Sequence, residues 1–235
     1  MDDLTLTAPA RPAPTPQRPL LGLTVLVVED SRFASEALRL LCLRSGARIR
    51  RADCVASAER HMGRYAPDVA IVDLGLPDGS GLALIGRMAA GPKPPAALLA
   101  TSGLDRAEAE RAAREAGAGG FLPKPIASIA AFQQAVLALL PAERRPLGLR
   151  EVGAETVRPD PLAMVEDLGY AERLLDEGGV APNFVAGFLQ GVARTGGDAA
   201  LLAQARALSG PGAGDELRER IRAVIRARRS ERQVV

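Results

Sequence analysis

Along this chain, short apolar runs alternate with segments whose apolar residues recur every three or four positions. Leu23-Thr24-Val25-Leu26-Val27-Val28 is an unbroken, β-branched run, the pattern of a strand covered on both faces in a parallel sheet. Ser31 stands where a helix N-cap belongs, and Phe33, Ala34, Ala37, Leu38, Leu40 and Leu41 follow at helical spacing until Ser45-Gly46 ends the helix. The alternation then repeats. Strands are predicted at 48–52, 69–72, 96–100 and 121–122, and helices at 55–64, 81–89, 105–116 and 128–140. Five strands, each followed by a helix, predict an α/β domain built on a doubly wound five-stranded parallel sheet. Such a sheet gathers its ligands at the carboxyl ends of the strands.

The segments on either side read differently. Residues 1–21 are rich in proline, which removes backbone donors and favours extended conformers, and are predicted to be disordered. The α/β domain occupies 22–140. Pro141, Pro146, Pro159 and Pro161, with charges between them, mark 141–161 as a linker. Beyond it, residues 162–235 form a small all-helical region with stretches near 162–176, 182–194, 198–208 and 215–229, punctuated by Gly178-Gly179, Gly196-Gly197 and Gly210-Pro211-Gly212.

Composition narrows the picture only a little. The 235 residues carry a net charge of +2, so no whole-chain field favours nucleic acid or an anionic membrane surface. Aromatic residues make up 3%, which leaves the cores to Ala, Leu, Val and Ile. Cys42 and Cys54 fit no metal-binding spacing and are expected as free thiols in a reducing cytosol. The N-terminus lacks a basic stretch followed by an apolar one, and no apolar run reaches about 18 residues. A cytoplasmic protein without a membrane span is the expectation.

The chemistry sits at the strand ends. The first strand runs into Glu29-Asp30, the third into Asp73 and the fifth into Lys124-Pro125, and a sheet of this kind brings those ends to one edge. Carboxylates crowded there repel unless a cation lies between them, and an all-oxygen set selects Mg²⁺. Lys124 would pair with whichever anion occupies the site.

Val25-Leu26-Val27-Val28-Glu29-Asp30, Ile71-Val72-Asp73-Leu74-Gly75-Leu76-Pro77-Asp78-Gly79-Ser80-Gly81 and Gly117-Ala118-Gly119-Gly120-Phe121-Leu122-Pro123-Lys124-Pro125 together resemble the CheY-like receiver domain of bacterial two-component response regulators. The resemblance covers 22–140, about half the chain. It implies that Asp73 is the phosphoacceptor, taking a phosphoryl group from a sensor histidine kinase or a phosphotransfer protein. It implies a Mg²⁺ site made by Asp30, by Glu29 directly or through water, by Asp73 and by the Gly75 carbonyl. Lys124 would meet the aspartyl phosphate, and the bond to Pro125 would be cis. The switch hydroxyl is Ser102 or Thr101. The family's usual interval to the lysine selects Ser102, whereas Thr101 needs one inserted residue. Phe121 takes the aromatic switch position, or is simply core.

Such a domain is not an enzyme beyond slow loss of its own phosphoryl group. His61, the only histidine, lies on a helix flanked by charges and is expected at the surface. With no histidine after it, the C-terminal helices cannot be a histidine phosphotransfer module. Their last member sets Leu217, Ile221, Val224 and Ile225 on one side and six arginines around the rest. That pattern admits a docked helix, a homodimer or protein-target contact, or, less favoured, nucleic acid. A helix-turn-helix over 166–194 would have only Asn183, Gln190 and Arg194 to read bases. Phosphorylation is therefore expected to switch a protein contact or self-association, with an atypical DNA-binding output as the alternative. The face formed by the fourth helix, fifth strand and fifth helix is the expected route to that output.

Overall fold

The structure, a computed structural model, describes residues 12–103, 106–126, 128–147, 155–208 and 214–233. Its sheet consists of β1 (Thr24–Val28), β2 (Arg48–Ala52), β3 (Val69–Asp73), β4 (Ala97–Ser102) and β5 (Gly120–Pro123). All pairings are parallel and the order is β2-β1-β3-β4-β5. The direction of winding reverses between β1 and β3, which opens the crevice where such sheets bind ligands.

Alternation along the buried strands decides which helix covers which face. Val25, Val27, Ile71 and Leu99 pack with Leu38 and Leu41 of α1 (Arg32–Arg44) and with Phe132 and Val136 of α5 (Ile129–Leu139). Leu26, Val28, Ala70 and Val72 pack instead on α2 (Val55–Met62), α3 (Gly81–Ala90) and α4 (Arg106–Glu115). The edge strand β2 exposes Arg48, Arg50 and Arg51, a charged border that discourages pairing with another chain.

The loop after β3 is built more tightly than sequence periodicity suggests. Gly75–Leu76 and Gly79–Ser80 form a two-residue antiparallel ladder, and Asp78 accepts hydrogen bonds from the Val55 and Ala56 amides at 2.7 and 2.9 Å. The loop therefore caps α2 while presenting the end of β3.

Two boundaries differ from expectation. Residues 1–11 of the proline-rich lead-in lie outside the described residues, but the rest of that segment is packed. Thr15 and Arg18 close a turn, Leu20 is fully buried, and its amide donates to the Ser45 carbonyl at 2.9 Å. Leu20 supplies apolar area next to Leu41 and Cys42, which outweighs the extended preference of the prolines before it. Residues 148–154 of the linker also lie outside the described residues. Its end is pinned back on the domain, because the Glu155 carbonyl accepts from the Ile129 amide at 2.9 Å and Val157 packs on the α1–α5 side.

The C-terminal helices are α6 (Pro161–Glu177), α7 (Pro182–Thr195), α8 (Ala199–Ala207) and α9 (Gly214–Gln233). Asp160 caps α6 and Gly178, at φ 66°, ends it in the left-handed conformation. They share a core of residues such as Leu168, Leu175, Leu189, Leu201, Ile221 and Ile225, which Phe33 of α1 enters. The region therefore docks on α1 through α6 and α7. The sequence pointed to the α4–β5–α5 face as the route outward, because α5 leads directly into the linker. In the structure the end of the linker folds back on the domain, and the apolar side of α6 and α7 packs on Phe33 of α1.

Gly81 is the most closely packed of the described glycines. A Cβ there would lie 2.0 Å from the Asp73 carbonyl oxygen and 2.7 Å from the Leu74 Cα, both backbone atoms that cannot turn aside. Gly81→Ala is expected to destabilise the protein by about 3 kcal/mol, at the upper end of ordinary overpacking. Urea unfolding of the two proteins measures it.

Candidate functional site

The carboxyl edge of the sheet carries the predicted residues. β1 delivers Glu29 and Asp30, β3 ends in Asp73, and the chain leaving β5 carries Lys124 with a cis bond to Pro125. One carboxylate oxygen from each of Glu29, Asp30 and Asp73 lies within 4.8 Å of the others, and all three residues are buried. The Lys124 ammonium lies 2.6 Å from Glu29 Oε2 and donates to Asp73 Oδ2 at 2.8 Å. Three acids thus share one buried cation. Asp30 Oδ2 is buried with no hydrogen-bond partner.

That imbalance shifts the acids. Burial, then repulsion from Asp73, pushes the Glu29 carboxyl up to about 8, although Lys124 pulls the other way. Burial and the neighbouring Glu29 and Asp73 hold Asp30 well above the ordinary range. Burial disfavours the Lys124 ammonium, yet Asp73 and Glu29 outweigh it and keep the lysine charged. An all-oxygen set with an orphaned carboxylate oxygen suits a hard divalent cation, which would meet charge that the lysine leaves unbalanced.

The two hydroxyl candidates part company here. Ser102 lines the cavity shared by Asp73 and Lys124, together with Gly75. Thr101 is fully buried and lines a second small cavity with Ala34, Leu38, Lys124 and Pro125, so Lys124 borders both cavities. The end of β4 is tied to β5 by the Lys124 amide, which donates to the Ser102 carbonyl at 3.1 Å. Phe121 is half-buried against the α2–α4 side of the sheet. His61 is engaged locally, with Nε2 at 3.1 Å from the Arg51 carbonyl and Nδ1 at 3.3 Å from the Tyr65 hydroxyl.

The C-terminal region contributes more to this edge than its sequence suggests. Asn183, Phe184, Gly187, Phe188, Gly191 and Val192 of α7 line the same cavity as Asp73. Asp167 of α6, fully buried, accepts from the Ser31 hydroxyl and the Arg32 amide at 2.7 Å each and from the Phe33 amide at 3.1 Å. It thereby caps α1 from another element, beside Ser31 as the helix's own cap. The signal available in the sequence was an acid inside the apolar stripe Met164, Leu168, Ala171. Gln190 is buried and Arg194 half-buried, so two of the three side chains available for base reading are turned inward. The arginines of α9 are spent similarly. Arg222 pairs with Asp176 at 2.9 Å, Arg228 with Asp198 and Arg229 with Glu172, while Leu217, Ile221 and Ile225 are buried.

The raised acids set a pH dependence. Glu29 and Asp30 hold protons in the folded protein that the unfolded chain has already released, so folding binds protons and stability falls as pH rises. Without added metal, the protein should lose about 2 kcal/mol of stability between about pH 6 and about pH 9, as pH passes the folded value of Glu29. Asp30→Ala, which removes one of the raised acids and a source of repulsion, should flatten the slope. Chemical denaturation at both pH values checks each outcome.

Residues 25–136 match the family model described as the response regulator receiver domain. The virulence transcriptional regulatory protein PhoP of Salmonella typhimurium is 43% identical over 63 residues, covering 27% of this chain and 28% of that protein. The match thus spans little more than a quarter of that relative. Among solved structures, a CheY-like response regulator receiver domain from Methylobacillus flagellatus aligns at TM-score 0.43 and 29% identity, over 50% of this chain and 98% of its own. The signal receiver domain of a histidine kinase from Syntrophus aciditrophicus aligns at TM-score 0.47 and 23% identity, over 56% and 99%. In the described residues no helix is long and apolar enough to cross a membrane. The N-terminal half of this chain, from β1 to α5, is a receiver domain of the response regulator family.

Proposed function

We propose that this protein is a phosphorylation-controlled regulator in the cytoplasm, in which Asp73 accepts a phosphoryl group from a sensor histidine kinase or phosphotransfer protein. The observation that carries the reading is the Lys124 ammonium, 2.6 Å from Glu29 and 2.8 Å from Asp73 in a buried cluster of three acids. Glu29, Asp30, Asp73 and the Gly75 carbonyl would hold Mg²⁺, which when bound supplies positive charge against the phosphoryl oxygens.

The chain's own residues do the rest. An Asp73 carboxylate oxygen is the nucleophile. Lys124, already donating to Asp73, meets one phosphoryl oxygen, and the Ser102 hydroxyl turns in to donate to another. Because the Lys124 amide holds the Ser102 carbonyl, a shift in β4 is felt along β5, where Phe121 can follow only as a packing group. The chain's chemistry ends with slow loss of its own phosphoryl group. Output passes through the helical region as a protein contact or self-association. A nucleic-acid output is less well supported, since α9 spends Arg222, Arg228 and Arg229 on internal acids.

Two measurements test the site. With Mg²⁺ and acetyl phosphate, wild type should take up one phosphoryl group and Asp73→Asn none; uptake by the variant at the wild-type rate would remove Asp73 from the role. Mg²⁺ at a hundred times its Kd should stabilise wild type by about 2.7 kcal/mol and leave Asp30→Ala unchanged. Equal stabilisation of both, read by thermal unfolding, would place the metal elsewhere.

A further inference from the structure

We propose that the docked helical bundle makes the phosphoacceptor site a roofed, size-selecting cavity, which takes small acyl phosphates directly and excludes larger phosphodonors until α7 lifts. The inference rests on Asp73 being the phosphoacceptor.

The cavity has two unlike walls. Its floor is Asp30, Asp73, Lys124 and Ser102, and its roof is Phe184 and Phe188 of α7. Its volume is about 200 Å³ and it is partly open to solvent. It has room for a phosphoryl group and a small organic leaving group between the charged floor and the apolar roof, while Glu29 and Asp30 also border a wider cleft beside α1 and α6. The roof is thinned where it crosses the site. Gly187 and Gly191, one helical turn apart, both line the cavity, and a Cβ on either would meet nothing within 4 Å. The space therefore reaches the helix backbone itself.

The side of the cavity is closed by contact. A Cβ on Gly103 would come within 3.2 Å of the Gly191 Cα, so the loop after Ser102 abuts α7 directly. The roof is anchored beyond the cavity, where Asp167 takes the Ser31 hydroxyl and the Arg32 and Phe33 amides and Phe33 enters the bundle core. A phosphohistidine carried on a helix about 10 Å across would need the space that α7 occupies. A small acyl phosphate does not. In that transfer an Asp73 oxygen bonds to phosphorus as the bond from phosphorus to the acyl oxygen breaks. The carboxylate leaves with that electron pair, and no proton need move.

The test uses the full chain with Mg²⁺ and two donors of one chemical class, acetyl phosphate and the much larger naphthoyl phosphate. Wild type should prefer acetyl phosphate by at least about tenfold, a moderate coupling. Asp167→Ala should speed hydrogen exchange at the Arg32 and Phe33 amides and bring the two donors within about threefold of each other. Gly187→Leu keeps the anchor and fills the cavity, so those amides should stay protected while the acetyl phosphate rate falls about tenfold. Equal use of both donors by wild type would overturn the proposal. So would unchanged exchange in Asp167→Ala, or an undiminished acetyl phosphate rate in Gly187→Leu. Failure of wild type to take phosphate from either donor would instead strike at Asp73 as the acceptor, and the cavity's role would fall with it.

Discussion

Three acids facing one buried lysine is the constraint around which this protein is arranged. Glu29, Asp30 and Asp73 are brought together because two neighbouring strands, β1 and β3, end at the same edge, and each is anchored by an apolar run that cannot retreat from the core. Lys124 offsets one charge and touches two of the acids. Burial and mutual repulsion hold Glu29 and Asp30 above their ordinary range. Such a cluster leaves negative charge that the lysine alone does not balance.

The same edge explains where the helical region sits. The amides at the start of α1 point outward as unsatisfied donors, and they lie beside the acid cluster because α1 follows β1 directly. Ser31 satisfies one amide from within, and Asp167 satisfies those of Arg32 and Phe33 from α6. With Phe33 inserted among the bundle's apolar side chains, the two halves of the chain share a polar latch and an apolar contact. Asp73 consequently lies under α7, while Glu29 and Asp30 also border a wider cleft beside α1 and α6.

Much of the α/β half was legible in the sequence. Unbroken runs such as Val69-Ala70-Ile71-Val72 can satisfy their burial only inside a parallel sheet, and acids placed after such runs have one edge to occupy. The order β2-β1-β3-β4-β5 was not legible there, since periodicity does not say which strands become neighbours. Sequence spacing left Ser102 and Thr101 open, because it counts residues and says nothing of which way a side chain faces at a strand's end. In the structure Ser102 lines the cavity that holds Asp73, Thr101 lines a second one, and Lys124 borders both.

The sequence by itself determined the sheet, the acids, the lysine and the helical character of residues 162–235, because local periodicity and strand ends carry that information. Only the tertiary structure decided what those helices do. Leu20 was hidden behind prolines, Asp167 carried no signal beyond its place in an apolar stripe, and the arginines of α9 left docking, a protein contact and nucleic acid all open. Each owes its role to a partner more than about twenty residues away in the chain: Ser45 for Leu20, α1 for Asp167, and Asp176, Asp198 and Glu172 for the arginines. Hydrogen bonds and ion pairs of that range leave no period in the sequence, since they depend on where two distant surfaces meet.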